Sequence, residues 1–183
     1  MVSLNTPLCN FGWKAKDFNL IDVDGQNWNL SKAKGHNGLL IMFICNHCPY
    51  VKAILTRLVN DLTELQKIGI NTVAISSNDV INYPEDSYVN MQKLSKDMKF
   101  SFPYLFDESQ EIAKKYEAIC TPDFFGFNAS LELQYRGRFD STGRDKPSAN
   151  NERDLYEAMK LIANTQLGPK KQIASIGCSI KWK

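Results

Sequence analysis

The stretch Ile41-Met42-Phe43-Ile44-Cys45-Asn46-His47-Cys48-Pro49-Tyr50-Val51-Lys52 changes its pattern in the middle. From Leu39 to Ile44 every residue is apolar, which is how a strand buried on both faces reads. Past Pro49 the period becomes helical. Val51, Ile54, Leu55, Leu58, Val59, Leu62 and Leu65 recur at steps of three and four, so an amphipathic helix is expected. A proline suits its first turn, where N–H groups lack helical partners anyway, and Gly69 supplies a stop. Residues 70–76 are again a buried apolar run. Strand, helix, strand implies a parallel pair joined by a right-handed crossover. The two cysteines stand at the strand-to-helix junction.

Working outward, residues 18–22 and 26–30 flank Val23-Asp24-Gly25 and read as a hairpin turned by Asp-Gly. Residues 84–98 read as a helix and 102–106 as a short strand. A short helix is expected over 109–116, with Ser109 as its cap. Strands at 124–128 and 131–139 follow, then a polar loop at 140–150 and a last helix at 151–165. A tail runs from 168 to 183. The parallel pair, the later antiparallel pair and helices for both faces give one α/β domain over 1–183. Its central mixed β-sheet is flanked by helices and carries an N-terminal β-hairpin extension.

The chain has 183 residues, 43% of them hydrophobic and 23% charged, with a formal net charge of +2. Nothing there builds a basic field for nucleic acid. No run approaches the roughly 18 apolar residues that span a bilayer. The first ten residues do not read as a signal peptide. The expected location is the cytoplasm, where thiols are mostly kept reduced, with neither nucleic acid nor membrane as partner.

Five cysteines, Cys9, Cys45, Cys48, Cys120 and Cys178, are odd in number and widely spaced, which argues against a secreted disulfide framework. Only Cys45 and Cys48 are close in sequence. They can be a redox pair, half of a metal site, or buried apolar residues. A structural zinc site needs four ligands, and no second Cys-x-x-Cys or His pair exists, so His36, Cys9 or Cys120 would have to complete one. The helix N-terminus favours the redox reading. Its free N–H groups and partial positive charge stabilise a thiolate. Cys45, taken as the more exposed thiol and the nearer to the helix start, is expected to attack and Cys48 to resolve. A protonated His47 would stabilise the Cys45 thiolate and make the disulfide more oxidising.

These residues resemble the thioredoxin superfamily. The evidence is Cys45-Asn46-His47-Cys48 after a buried strand and Thr121-Pro122 before a later one. The resemblance implies a cis-proline at Pro122 opposite the cysteines, with Thr121 offering backbone groups to a bound substrate chain. Asn46 and Phe124 are further candidate substrate contacts. The longer pattern is similar to a bacterial subgroup of thiol–disulfide oxidoreductases related to peroxiredoxins. Its segments here are Cys45 to Val51, Cys120 to Phe124, Tyr135 to Asp140 and Gly177 to Trp182. Two features depart from the relatives. Thioredoxins carry a buried acid on the strand before the cysteines, whereas residues 39–44 contain none, so either His47 does part of that work or proton transfer is slow. The peroxiredoxin loop Pro-x-x-x-Thr-x-x-Cys is also unmatched. With Cys48 as its cysteine, Cys45 and Ile41 hold the threonine and proline positions.

The expected function is thiol–disulfide exchange through Cys45 and Cys48, on a protein or small-thiol partner carrying a disulfide or dithiol. An unidentified reductant or oxidant would recycle the pair, with no metal and no organic cofactor. The chain would be monomeric or dimeric. Two alternatives remain at this stage, a peroxiredoxin-like thiol peroxidase and a non-catalytic protein that binds soft metal. Cys120 and Cys178 are possible accessory thiols, Cys178 as a distant resolving cysteine or as packing under the tail. Arg136 and Arg138 are expected in surface ion pairs.

Overall fold

The computed structural model describes residues 2–145 and 150–183; residues 146–149 of the expected polar loop lie outside them. In chain order the strands are β1 (Ser3–Asn5), β2 (Asn19–Asp22), β3 (Asn27–Asn29), β4 (Gly38–Phe43) and β5 (Ile70–Ser76), then β6 (Tyr104–Phe106), β7 (Cys120–Thr121), β8 (Asp123–Asn128), β9 (Leu133–Tyr135) and β10 (Ile176–Ser179). The helices are α1 (Leu30–Ala33), α2 (Pro49–Lys67), α3 (Tyr88–Asp97), α4 (Glu111–Lys115) and α5 (Asp154–Thr165).

A seven-stranded sheet runs in the order β3-β2-β6-β5-β4-β8-β9. β4 pairs parallel with β5 and antiparallel with β8, so the sheet is mixed. The apolar run of β4 divides by period two. Leu40 and Met42 pack into one buried cluster with the apolar face of α2 and with α5. Leu39, Ile41 and Phe43 pack into the other, with Ile112, Ala113 and Tyr116 at α4. All six residues of β4 are buried, which is why the sequence shows no alternation there. α2 stops where Gly69 takes φ +80 beside Asn37, whose side chain would meet any added Cβ at 2.9 Å. The hairpin joins the sheet through β2 and β6. Asp22 holds its turn by accepting the Asp24 and Gln26 N–H groups and the Trp28 indole N–H.

Several expected boundaries shift for identifiable reasons. The helix expected over 84–98 splits into a single 3-10 turn at Pro84–Asp86 followed by α3. α4 begins at Glu111 rather than 109. The buried Asp107 carboxylate takes the Ile112 and Ala113 N–H groups at 3.3 and 2.9 Å, and Ser109 Oγ accepts the Glu111 N–H at 3.3 Å, so Ser109 and Asp107 hold the helix start together. The strand expected over 131–139 is only Leu133–Tyr135, because the chain turns at Arg136 to bury its guanidinium. Arg136 is 5% exposed and reaches Asp123 at 2.9 Å, so its ion pair is internal; the half-exposed pairing of Arg138 with Asp154 is the kind expected for both. The tail is not a loose end. β10 lies between β1 and β7 in a second, three-stranded antiparallel sheet.

Candidate active site

β4 delivers Ile44 and Cys45 to the edge of the core, and the chain then crosses to α2. Cys48 is the N-cap residue of α2 and Pro49 its first helical residue. Opposite them lies the Thr121–Pro122 peptide bond, which is cis, as the resemblance implies. Both cysteines face Thr121. Cys45 Sγ is 3.2 Å from Thr121 Oγ1, and the Cys48 thiol donates to the Thr121 carbonyl at 3.1 Å. Both thiols are free. Cys45 and Cys48 are 1% and 0% exposed, so the expectation of an exposed Cys45 beside a buried Cys48 does not hold. The loop between them is pulled inward, and the reason is an acid that the sequence did not single out.

That acid is Asp86, 0% exposed, from the 3-10 turn. One carboxylate oxygen accepts the Asn46 and His47 backbone N–H groups at 2.7 and 3.1 Å. The other accepts the Asn78 amide at 2.7 Å and pairs with His47 Nδ1 at 2.6 Å. Three N–H donors and the His47 ring nitrogen thus surround the carboxylate. The His47 ring stacks on Tyr83 at 5.6 Å. Asp86 is thus a buried acid beside the cysteine loop, from about forty residues away in sequence. No local pattern marks it; Pro84-Glu85-Asp86 reads as an ordinary acidic helix start.

The two sulfurs behave as one titrating unit. Each is the largest influence on the other. Their interaction lowers Cys48 to about 5 and pushes Cys45 well above an ordinary thiol, with burial and the Asp86 charge adding to the rise. The pair thus holds one proton between two sulfurs at neutral pH. Surrounding groups pull the charge both ways. Cys48 lies beneath the Val51 and Cys178 N–H groups, which favour a thiolate, whereas the Thr121 carbonyl favours a proton on it. The Thr121 hydroxyl can donate to a charge on Cys45. One consequence is measurable without substrate. The ultraviolet absorbance of one thiolate per chain should persist from pH 8 downward and disappear only as the pH falls through about 5. Disappearance near the ordinary thiol range would contradict the shared proton.

The remaining expected contacts divide. Asn46 lines the loop, but its amide is engaged internally, accepting from Tyr104 Oη at 3.0 Å and donating to the Glu85 carbonyl at 3.0 Å. Phe124 is 0% exposed within β8 and packs on Phe139; it is a core residue, not the wall of a groove. Thr121 is 3% exposed, and the edge of β7 expected to be open to a substrate carries β10. Pro122 lines a cavity of about 260 Å³ with Tyr50, Ile54 and Phe139. Cys120 is buried, with its sulfur 3.8 Å from the Pro122 carbonyl, and burial pushes its thiol far up. Cys178 lies in β10 against Cys48. Cys9 is remote from the pair.

Among the described residues, Cys45, His47 and Asp86 offer ligand atoms within 4.8 Å of one another. The carboxylate is already engaged by three N–H donors and by His47 Nδ1, so a metal would have to displace them. The cluster fits an orienting carboxylate better than a metal ligand set.

The AhpC/TSA family model matches residues 11–139, which include Cys45, Cys48, Asp86 and Thr121. The chain belongs to the AhpC/TSA family. No curated protein matches it. It is similar to the solved structure of an uncharacterized conserved protein from Geobacillus kaustophilus, at 40% identity and a TM-score of 0.95, covering 100% of this chain and 97% of that one. It is also similar to a hypothetical protein from Sinorhizobium meliloti, at 35% identity and a TM-score of 0.90, covering 98% of both. A thiol:disulfide interchange protein of the thioredoxin family from Chlorobium tepidum superposes with a TM-score of 0.63 at 15% identity, over 82% of this chain and 95% of that one. The AhpC/TSA chain therefore has the thioredoxin-like fold of a thiol oxidoreductase family. Its β1 and β10 lie outside the matched residues.

Proposed function

We propose that the protein is a thiol–disulfide oxidoreductase working through Cys45 and Cys48. The observation that carries this reading is the placement of two free thiols at the start of α2, both facing Thr121 beside Pro122. Cys45, first after the strand and next to the partly exposed Asn46-His47 loop, attacks a substrate disulfide as its proton passes to Cys48. A Cys45–substrate bond forms and one substrate sulfur leaves. Cys48 then gives its proton to that leaving sulfur and attacks Cys45. The second substrate sulfur departs, and the internal disulfide holds the two electrons' worth of oxidation. Run backward, the same steps oxidise a dithiol.

Asp86 positions the loop and restrains ionisation of Cys45. Asp86→Asn removes its negative charge and disturbs four hydrogen bonds. The second proton of the pair should then leave at lower pH than in the wild type. A pH titration of thiolate absorbance reads this directly. Urea unfolding should show a cost of about 1–3 kcal/mol from the disturbed partners. An unchanged second titration would remove Asp86 from the account of the site.

A peroxidase reading stands second, favoured by the AhpC/TSA match. The two separate on mixing reduced protein with oxidised glutathione or hydrogen peroxide. Exchange predicts that glutathione disulfide yields the Cys45–Cys48 disulfide and two reduced glutathiones per chain. Rapid consumption of peroxide with a sulfenic acid on one cysteine, and slow reaction with the disulfide, would reverse the order.

A further inference from the structure

The edge of β7 beside the cis-proline is where the family resemblance expects a substrate backbone, yet the chain's own β10 occupies it. Cys178 is the register partner of Thr121, and Ser179 that of Cys120. Directly paired residues in an antiparallel ladder project to the same face. The Thr121 hydroxyl faces the Cys45 sulfur, so Cys178 projects into the active site while Cys120 projects away. Cys178 lies close to Cys48: the Cys48 sulfur and its charge raise the Cys178 thiol, and the Cys178 backbone N–H lowers Cys48. Cys178 is 2% exposed and belongs to the same buried cluster as Cys45 and Cys48. The approach is close by construction. A Cβ at Gly177 would fall 2.2 Å from the Thr121 carbonyl, so the residue before Cys178 has to be glycine. β1 clamps the outer side of β10, pairing Ser3 with Cys178.

We propose that β10 is a built-in redox partner, in which Cys178 exchanges with the Cys45–Cys48 disulfide to give a Cys48–Cys178 disulfide and a free Cys45. The inference rests on the exchange reading above. The Cys178–Cys48 bond forms as the Cys45–Cys48 bond breaks. The electron pair goes to the Cys45 sulfur, and the proton lost by Cys178 ends there. The step is an isomerisation with no net oxidation; the oxidising equivalents come from the substrate disulfide. While Cys48 is reduced, its sulfur and charge help hold the Cys178 proton, and Lys181 opposes them. Once Cys48 is bonded to Cys45, that restraint from Cys48 is gone. A chain oxidised in this way keeps Cys45 free to open a second disulfide.

The test is disulfide mapping by mass spectrometry after equilibration in glutathione buffers, with an acid quench and alkylation. Wild-type protein should show two oxidised forms, one leaving Cys178 to be alkylated and one leaving Cys45. Cys178→Ser should lose Cys45 labelling of oxidised chains. Cys45→Ser, which keeps a small polar residue next to Thr121, should still form the Cys48–Cys178 disulfide. If oxidised wild type leaves only Cys178 free, and folded Cys45→Ser carries only glutathione on Cys48, the proposal is overturned while the exchange reading stands. If wild type forms no internal disulfide at all, the exchange reading fails and takes this one with it.

Discussion

Cys48→Ser protein is expected to stop at the mixed disulfide. Cys45 can still open a substrate disulfide, but no second thiol releases the product from it. Mass spectrometry should find one substrate equivalent on Cys45, and turnover should fall by about a thousandfold or more, the scale seen when one member of a covalent catalytic unit is removed. Cys178 offers no rescue, since its contact is to Cys48 rather than Cys45. Cys45→Ser should lose turnover to the same extent without accumulating substrate on that residue. Equal turnover in Cys48→Ser and wild type would mean that the two thiols do not act in sequence.

Arg136→Met should produce the largest loss of stability. Asp123 is fully buried at the start of β8, next to Pro122, and burial raises it to about 6 despite the guanidinium beside it. Arg136 also donates to the Glu117 carbonyl at 2.8 Å and lies over the Phe125 ring. Removing it leaves an unpaired carboxylate in the core, at a cost of about 3–5 kcal/mol. For a chain of this length that lowers Tm by roughly 10 °C or more. The sign of the pH dependence follows. A buried acid whose folded pKa lies above its unfolded value destabilises the fold when ionised. The deficit of the variant should be full near pH 8 and shrink as the pH falls through the raised pKa of Asp123, because the neutral carboxyl needs no counter-ion. A deficit that grows on acidification in that range would contradict the assignment.

The sequence made the parallel β4–α2–β5 unit legible because periodicity there is local and strong. Six of the seven apolar positions expected on the inner face of α2 are buried; Val59 is half-exposed. The cysteine pair and the proline opposite it were legible for the same reason, each being a short motif. What stayed hidden depends on distant partners. Asp86 acts across about forty residues. β1 and β10 are three and four residues long, too short to show a period, and they exist as strands only because they pair with each other and with β7. Thr121 reads as a substrate contact from the family resemblance, and Phe124 from its nearness to Pro122. The pairing of β8 with β4 and of β10 with β7 buries both. Arg136 looked like its neighbour Arg138, and only the position of Asp123 separates them.

The proposed exchange depends on the redox equilibrium of the Cys45–Cys48 pair. Wild-type protein equilibrated in glutathione buffers of graded potential, then trapped and mapped, should pass from two free thiols to an internal disulfide that includes Cys48. The stabilised thiolate of the reduced pair favours that form, so the midpoint should be less negative than about −270 mV, the thioredoxin value. A chain in which Cys48 forms no internal disulfide at any potential would contradict the central claim.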